Sequence, residues 1–284
     1  MNQQIIQSIL QSENLTSYQY KSVSGGDINQ AFCIYNDTDK FFLKINNASL
    51  YPGMFKAESE GLNALNKSLF RIPQVINEAV LEGYQYLLME WIEQGKPTPD
   101  FWNKFGYYLA DLHQISNTDF GFYNDNYIGS ITQQNTFINS WEFFYSQYRI
   151  MPLVRILLEE KSYDNKDVQH VDNFCKRINE IFPIESPALL HGDLWSGNFT
   201  IDQKGNPALY DPAVYFGHRE MDIGMSRLFG GFSNELYERY NEKYPLEKNW
   251  TTRLPYTQLY PLLVHAVLFG GHYIAQTKEI LSRF

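Results

Sequence analysis

Basic residues are in deficit along this chain. There are 23 Lys and Arg against 32 Asp and Glu, giving a formal net charge of −9, and no long basic block offsets it. A nonspecific nucleic-acid binder presents a basic surface to phosphates, so nucleic acid is not an expected partner. Anionic lipid surfaces are disfavoured for the same reason. Cysteine is scarce: Cys33 and Cys175 are the only two, and they form neither a CxxC pair nor a metal cluster. Nothing in that pattern proposes a secreted disulfide scaffold. The start, Met1-Asn2-Gln3-Gln4, lacks a basic region followed by an apolar run, so no signal peptide is expected. Long hydrophobic runs are also missing. The most apolar late segment, residues 259–275, contains Pro261, two histidines and Gly270-Gly271. It reads as a buried helix rather than a membrane span. These absences together set the expectation of a soluble cytoplasmic protein with no membrane partner. Two phosphate-binding signatures are absent as well, G-x-x-x-x-G-K-[ST] and a full G-x-G-x-x-G. No Asp-Phe-Gly leads to an Ala-Pro-Glu segment, which disfavours a protein kinase.

What the chain has in quantity is apolar and aromatic surface. Hydrophobic residues make up 44% of its 284 positions, with 21 Tyr and 20 Phe, enough for one large domain or two lobes sharing a cleft. Ile5, Ile6, Ile9 and Leu10 fall at helical spacing. Residues 20–24 and 28–35 read as strands joined through Gly25-Gly26, and 40–45 as a third strand after the turn at 36–39. A helix over 55–67 follows, then strands near 74–76 and 84–91. Past a linker at 95–99 the character becomes helical. Thr98-Pro99 looks like a cap followed by proline at the first helical position. Phe101, Phe105, Leu109 and Leu112 mark a helical stripe, and further helices are expected over 137–160, 168–181, 235–243 and 259–280. The expectation is an α+β chain with a small, mostly antiparallel lobe (1–94) and a larger helical lobe (95–284). A cleft between two lobes is a common ligand site.

The strongest string is His191-Gly192-Asp193-Leu194-Trp195-Ser196-Gly197-Asn198. It fits the His-x-Asp-x4-Asn loop of kinases. In that chemistry Asp193 accepts or orients the acceptor hydroxyl proton, Asn198 offers an amide oxygen to magnesium, and His191 organises the loop. Asp211, in Leu209-Tyr210-Asp211-Pro212-Ala213, sits after a short apolar strand, where an acid can hold a metal. Alone, Asp-Pro marks only a turn. In this order, Asn198 and Asp211 with phosphate oxygens and water suit Mg2+, and they would be too few for a protein-only zinc site. Lys44, in a strand, can reach phosphates, with Glu58 or Glu60 on the next helix to orient it. The bland reading of these three is a solvent-exposed lysine beside helix-surface acids. Gly25 and Gly26 permit a loop that closes over a nucleotide, or merely a hairpin turn. The run Met89-Glu90-Trp91-Ile92 precedes the linker, where backbone could bind adenine and Met89 could line its pocket. The plain alternative is a buried strand.

With these residues in order, the chain resembles the fructosamine/ketosamine kinase family, and more distantly aminoglycoside and choline kinases. The matching segments are residues 24–29, 54–58, 88–92, 126–130, 141–144 with Arg149, 191–198, 211–213 and 217–222. The resemblance runs from about residue 20 to the end. It implies a protein-kinase-like bilobal fold, ATP and Mg2+ as cofactors, and transfer of the γ-phosphate to a ketosamine. The usual acceptor is the 3-hydroxyl of ribulosamine or fructosamine, free or on glycated protein. Carried over residue by residue, Asp193 is the catalytic base and Asn198 and Asp211 are metal ligands. Lys44 is the phosphate-binding lysine with Glu58 its partner, and Glu60 remains the structural alternative. Trp195 packs beside the sugar, holds the loop or fills core. His218 shapes the site or is a satisfied structural histidine. Arg219 and Asp222 brace the loop, and Asp222 could also cap a helix. Some family members carry a cysteine after the two glycines; this chain has Asp27, so no redox behaviour transfers. The competing expectations are an aminoglycoside- or choline-like kinase and a nucleotide-binding protein without turnover.

Overall fold

The computed structural model describes residues 3–23 and 28–284; the glycine turn with Gly25 and Gly26 lies outside the described residues. Helix α1 (Gln3–Ser12) comes first, followed by strands β1 (Gln19–Val23), β2 (Gln30–Tyr35) and β3 (Lys40–Asn47). Helix α2 (Met54–Leu65) precedes β4 (Val75–Leu81) and β5 (Tyr84–Glu90). The five strands form one sheet in the order β1-β2-β3-β5-β4, with every pairing antiparallel. Strand alternation assigns its two faces. Ile34, Leu43, Ile45 and Leu88 pack on one side against Ile5, Ile6, Ile9 and Leu10 of α1. Each fully buried side chain of this kind stabilises the lobe by about 1.5–3 kcal/mol. Leu87 and Met89 point the other way, into the main core with Phe55, Leu62 and Leu65 of α2. Lys44, between Leu43 and Ile45, shares that second face.

The larger lobe opens with α3 (Phe101–His113) and a short hairpin, β6 (Asn126–Ile128) and β7 (Ile131–Gln133). A composite helix follows: α4 (Trp141–Phe143), a π-helical stretch over Phe144–Ile150, and α5 (Met151–Glu159). Next are α6 (Asn165–Cys175), α7 (Ile178–Ile181) and the short strands β8 (Ala188–Leu190), β9 (Phe199–Ile201), β10 (Pro207–Leu209) and β11 (Tyr215–Gly217). Helices α8 (Glu220–Leu228), α9 (Asn234–Lys243), α10 (Trp250–Thr257), α11 (Leu259–Phe269) and α12 (His272–Leu281) complete the chain. The molecule is a bilobal, protein-kinase-like α+β fold with a small antiparallel lobe and a larger helical one. Backbone hydrogen bonds run between the lobes: Leu209 N–H donates to Arg71 C=O, and Arg71 N–H to Pro207 C=O. No helix among the described residues is long and apolar enough to cross a membrane.

Several elements depart from the pattern read in sequence. Thr98 does not cap α3; Asp100 occupies the cap position without a side-chain bond, and the Thr98 hydroxyl donates to Gly205 C=O. The helix expected from 137 begins at Trp141, where Ser140 accepts the Phe143 N–H. The expected 259–280 helix is two helices, because Gly270 and Gly271 both take positive φ. Helix α10 and the β6–β7 hairpin were not anticipated, and α8 was expected only as a helix that Asp222 would cap, whereas Asp222 lies inside it.

Candidate active site

Lys44 lies at the centre of β3, 5% exposed. Its Nζ sits 2.6 Å from Glu58 Oε1 and also bonds Asp211 Oδ1. Burial opposes the ammonium charge, and the two carboxylates more than offset it, holding the lysine above its ordinary range. Burial also pushes the Glu58 carboxyl up, against the pull of Lys44 and with the push of Asp211. Glu60 does not compete for Lys44. Two residues further round α2, it accepts a hydrogen bond from Asn124 Nδ2 at 2.8 Å on the outside of the molecule.

The loop after β8 is held from beneath. Asp222, buried in α8, accepts the His191 N–H at 2.7 Å and the Gly192 N–H at 2.9 Å. Its Oδ2 also meets His113 Nε2 at 3.2 Å, and His113 Nδ1 bonds the Tyr240 hydroxyl. Asp222 thus braces the loop and caps no helix. Burial holds the His191 imidazole neutral, with its pKa lowered. Its Nδ1 receives the Asp193 N–H, so Nε2 carries the proton, donated to Tyr210 C=O at 3.1 Å. Gly192 takes φ +83°, and a Cβ there would lie 1.9 Å from Ala213 O. Only glycine lets the loop pass this close to the segment after Asp211.

Asn198 Nδ2 faces acceptors only: Asp193 O and Oδ2, both at 2.9 Å, and Asp211 O at 3.4 Å. The amide orientation is therefore fixed, with Oδ1 turned away from these oxygens and free to offer itself to a cation. Asp211 adopts φ +55°, uncommon for a residue with a Cβ, and its side chain is 42% exposed. Among the described residues no group of three or more His, Cys, Asp or Glu could hold a metal unaided. An amide and a carboxylate, completed by phosphate oxygens and water, fit a hard cation such as Mg2+. Burial raises the Asp193 carboxyl to about 7, against the stabilising Asn198 bond.

A cavity of about 640 Å³ joins these groups, lined by Lys44, Glu58, Asp193, Asn198 and Asp211 on one side. The other side is apolar and aromatic, with Trp195, Phe229, Val264, His265 and Tyr273. Trp195 is 39% exposed and lies edge-on to Phe229, 6.4 Å between ring centres. It covers Gly197 so closely that a Cβ there would come within 2.3 Å of its ring. His265 sits among Phe229, Phe269 and Tyr273, with centroids 4.9–5.5 Å away. Its Nδ1–H donates to Pro261 C=O at 2.8 Å, leaving Nε2 as an acceptor. Residues 126–130 of the β6–β7 hairpin complete the wall.

Not every residue singled out in sequence reaches the cavity. Met89 is in the core, and the Glu90 carboxylate pairs with Arg71. Trp91 stacks obliquely on Phe42 at 5.9 Å, and neither it nor Ile92 lines the cavity. His218 lies elsewhere: its Nε2 donates to Pro183 C=O at 3.2 Å, and its ring packs on Trp141 and Phe182. Arg219 forms a two-pronged pair with Glu185 beside it. Apart from Trp195, the aromatic wall was missed, because Phe229 after α8, His265 in α11 and Tyr273 in α12 are scattered along the chain. The Asn126-Tyr127-Ile128-Gly129-Ser130 string did stand out in sequence, though without a role.

The fructosamine kinase family model matches residues 1–284. The chain belongs to the fructosamine kinase family. A "Probable ketoamine kinase" of Enterococcus faecium is 40% identical over 264 residues, covering 92% of this chain and 94% of that protein. The "Protein-ribulosamine 3-kinase, chloroplastic" of Oryza sativa subsp. japonica is 35% identical over 269 residues, 93% of this chain and 78% of the rice protein. Among solved structures, the "putative fructosamine-3-kinase" of Thermobifida fusca superposes with a TM-score of 0.84 at 32% identity, covering 93% and 92% of the two chains. The aminoglycoside phosphotransferase APH(4)-Ia, at 14% identity and a TM-score of 0.63, shares the fold. Within a fructosamine kinase, the cavity between Lys44 and α11 is the candidate active site.

Proposed function

We propose that the protein transfers the γ-phosphoryl group of ATP to a ketosamine hydroxyl, the 3-hydroxyl of ribulosamine or fructosamine, free or carried on glycated protein. The observation that carries this reading is the convergence of Lys44, Asp193, Asn198 and Asp211 on one cavity that is aromatic on its far side. The smaller lobe, residues 1–94, serves the nucleotide, and 95–284 supplies the catalytic loop and acceptor wall. Lys44 steadies phosphate oxygens, oriented by Glu58. Asp193 has one oxygen engaged by Asn198 and the other available to an acceptor hydroxyl. That hydroxyl oxygen bonds to the γ-phosphorus as the bond to the β,γ-bridging oxygen breaks, and its proton passes to Asp193. A magnesium ion, held by Asn198 and Asp211, would neutralise charge developing on the phosphate oxygens. Most of the rate gain comes from positioning and fixed electrostatics. The ring faces of Trp195, Phe229, His265 and Tyr273 suit a sugar bearing a protonated amine, through apolar contact and cation–π attraction.

The test is an acceptor panel. Free and lysine-linked ribulosamine and fructosamine, an aminoglycoside and choline are each incubated with Mg-ATP, and the products mapped by NMR. The expected product is a phosphomonoester at carbon 3 of a ketosamine. Phosphorylation of the aminoglycoside or choline alone would replace this reading with a different acceptor class.

A further inference from the structure

A buried polar network that the proposed chemistry does not use runs from the cavity wall at Asn126 and Ala213 into the core behind it. The Tyr260 hydroxyl, at the start of α11, donates to Gln133 Oε1 at 2.8 Å. Gln133 Nε2 donates to Ala213 C=O at 3.1 Å and to Asn126 Oδ1 at 2.7 Å. Asn126 Nδ2 then donates to Val214 C=O at 2.8 Å. Gln133 is 1% exposed, Tyr260 4% and Asn126 5%. Burying two amides and a phenol costs stability unless their hydrogen bonds are made, and here both Gln133 amide hydrogens and its oxygen are engaged. A site needing only packing would be served by apolar side chains. Fully bonded amides fix a geometry.

The geometry fixed is that of the segment carrying Asp211. Ala213 is held at both ends, its N–H on His191 C=O at 2.9 Å and its C=O on Gln133. Pro212 has a restricted φ. Asp211, immediately before it, sits at φ +55°, a conformation that the surrounding structure must impose. The hairpin supplying Gln133 is anchored beyond β7. There the fully buried Arg149 donates to Gln134 C=O and Asn135 Oδ1, both at 2.6 Å. The Tyr260 end belongs to α11, whose Val264 and His265 line the cavity.

We infer that Gln133, with Tyr260 behind it, is a positioning residue that holds Asp211 in its cation-binding conformation and ties that conformation to the acceptor-wall helix. The inference rests on the proposed role of Asn198 and Asp211 as the cation-holding pair, and it adds residues that do not touch the reacting groups. It predicts a cost specific to the metal. Tyr260→Phe keeps the ring and removes one hydroxyl. Gln133→Leu removes the whole tie.

Calorimetric titration of the full-length protein with AMP-PNP, with and without magnesium, provides the test. Tyr260→Phe should weaken Mg-AMP-PNP binding about three- to tenfold and change metal-free AMP-PNP binding by less than about twofold, as expected for one lost buried hydrogen bond. Gln133→Leu should act in the same direction and more strongly. If it does not fold, Tyr260→Phe alone decides. Equal losses with and without magnesium, or no loss at all with a folded Tyr260→Phe protein, would overturn the inference. The binding readout needs no acceptor. A wild-type protein that phosphorylates no ketosamine would therefore refute the proposed function while leaving this test readable.

Discussion

Opposing influences act on the Asp193 carboxyl. Burial, helped by the nearby Asp211 and Asp222 charges, favours its neutral form, and the Asn198 amide favours its charge, with burial prevailing to place it at about 7. A general base must be ionised to accept a proton, so activity should be lost as pH falls through that value. The expected profile is an acid limb in kcat/KM for the acceptor, falling toward tenfold per pH unit below the limb. A cation held by Asn198 and Asp211 favours the charged form, so raising magnesium should move the limb to lower pH. Activity that rises below pH 6 would contradict this assignment. The residues bearing this chemistry were legible because His-x-Asp-x4-Asn is contiguous and Asp211 follows a short apolar strand. The partner of Lys44 was not legible from the residues alone; only the family resemblance favoured Glu58 over Glu60. Glu58 and Glu60 are both acids early in α2, and only the packing of α2 on the sheet turns Glu58 inward and leaves Glu60 to Asn124.

The elements that carry these residues show where sequence pattern stops being informative. Strand β4 runs to Leu81, well past the expected 74–76. Strands β1, β2, β3 and β5 and helix α2 were readable from alternation and turn residues, because one sheet face meets α1 and the other meets α2. Helix α8 was not, since Glu220 and Asp222 are buried beside Met221 and Ile223, and no polar stripe marks its period. The π-helical stretch at 144–150 has no composition of its own, yet it carries Arg149, whose guanidinium stacks on Phe144 and Tyr215 at 4.5 and 4.2 Å. The contribution of α8 to the site is Asp222. Asp222→Asn preserves size but leaves one of the two backbone N–H donors facing an amide or loses the His113 contact. It should destabilise the protein by about 2–4 kcal/mol in denaturant unfolding. It should also lower kcat while leaving nucleotide affinity nearly intact, because Lys44 and Glu58 lie outside that network. An unchanged unfolding midpoint would mean that the loop does not depend on Asp222.

Across the whole molecule, the two-lobed plan was foreseeable from the change of composition near residue 95, but the way the lobes meet was not. Backbone hydrogen bonds between Arg71 and the β10 residues Pro207 and Leu209 join the lobes along one edge, and the β6–β7 hairpin reaches back from the larger lobe. There the Tyr127 hydroxyl donates to Pro52 C=O at 3.0 Å and Asn124 meets Glu60. These contacts link residues 64 to 138 positions apart, and no local period encodes them. Their result is a single cavity that places a lysine–carboxylate cluster opposite an aromatic wall. The proposed function requires that this cavity move phosphate onto a sugar-amine through Asp193. The most direct measurement is phosphorus NMR of Mg-ATP with lysine-linked ribulosamine, comparing the wild-type protein with a folded Asp193→Asn variant. A new phosphomonoester resonance with matching ADP is predicted for the wild type, forming on the order of 10²–10⁴ times more slowly with the variant. No phosphomonoester from the folded wild type, or equal rates from the two proteins, would contradict it.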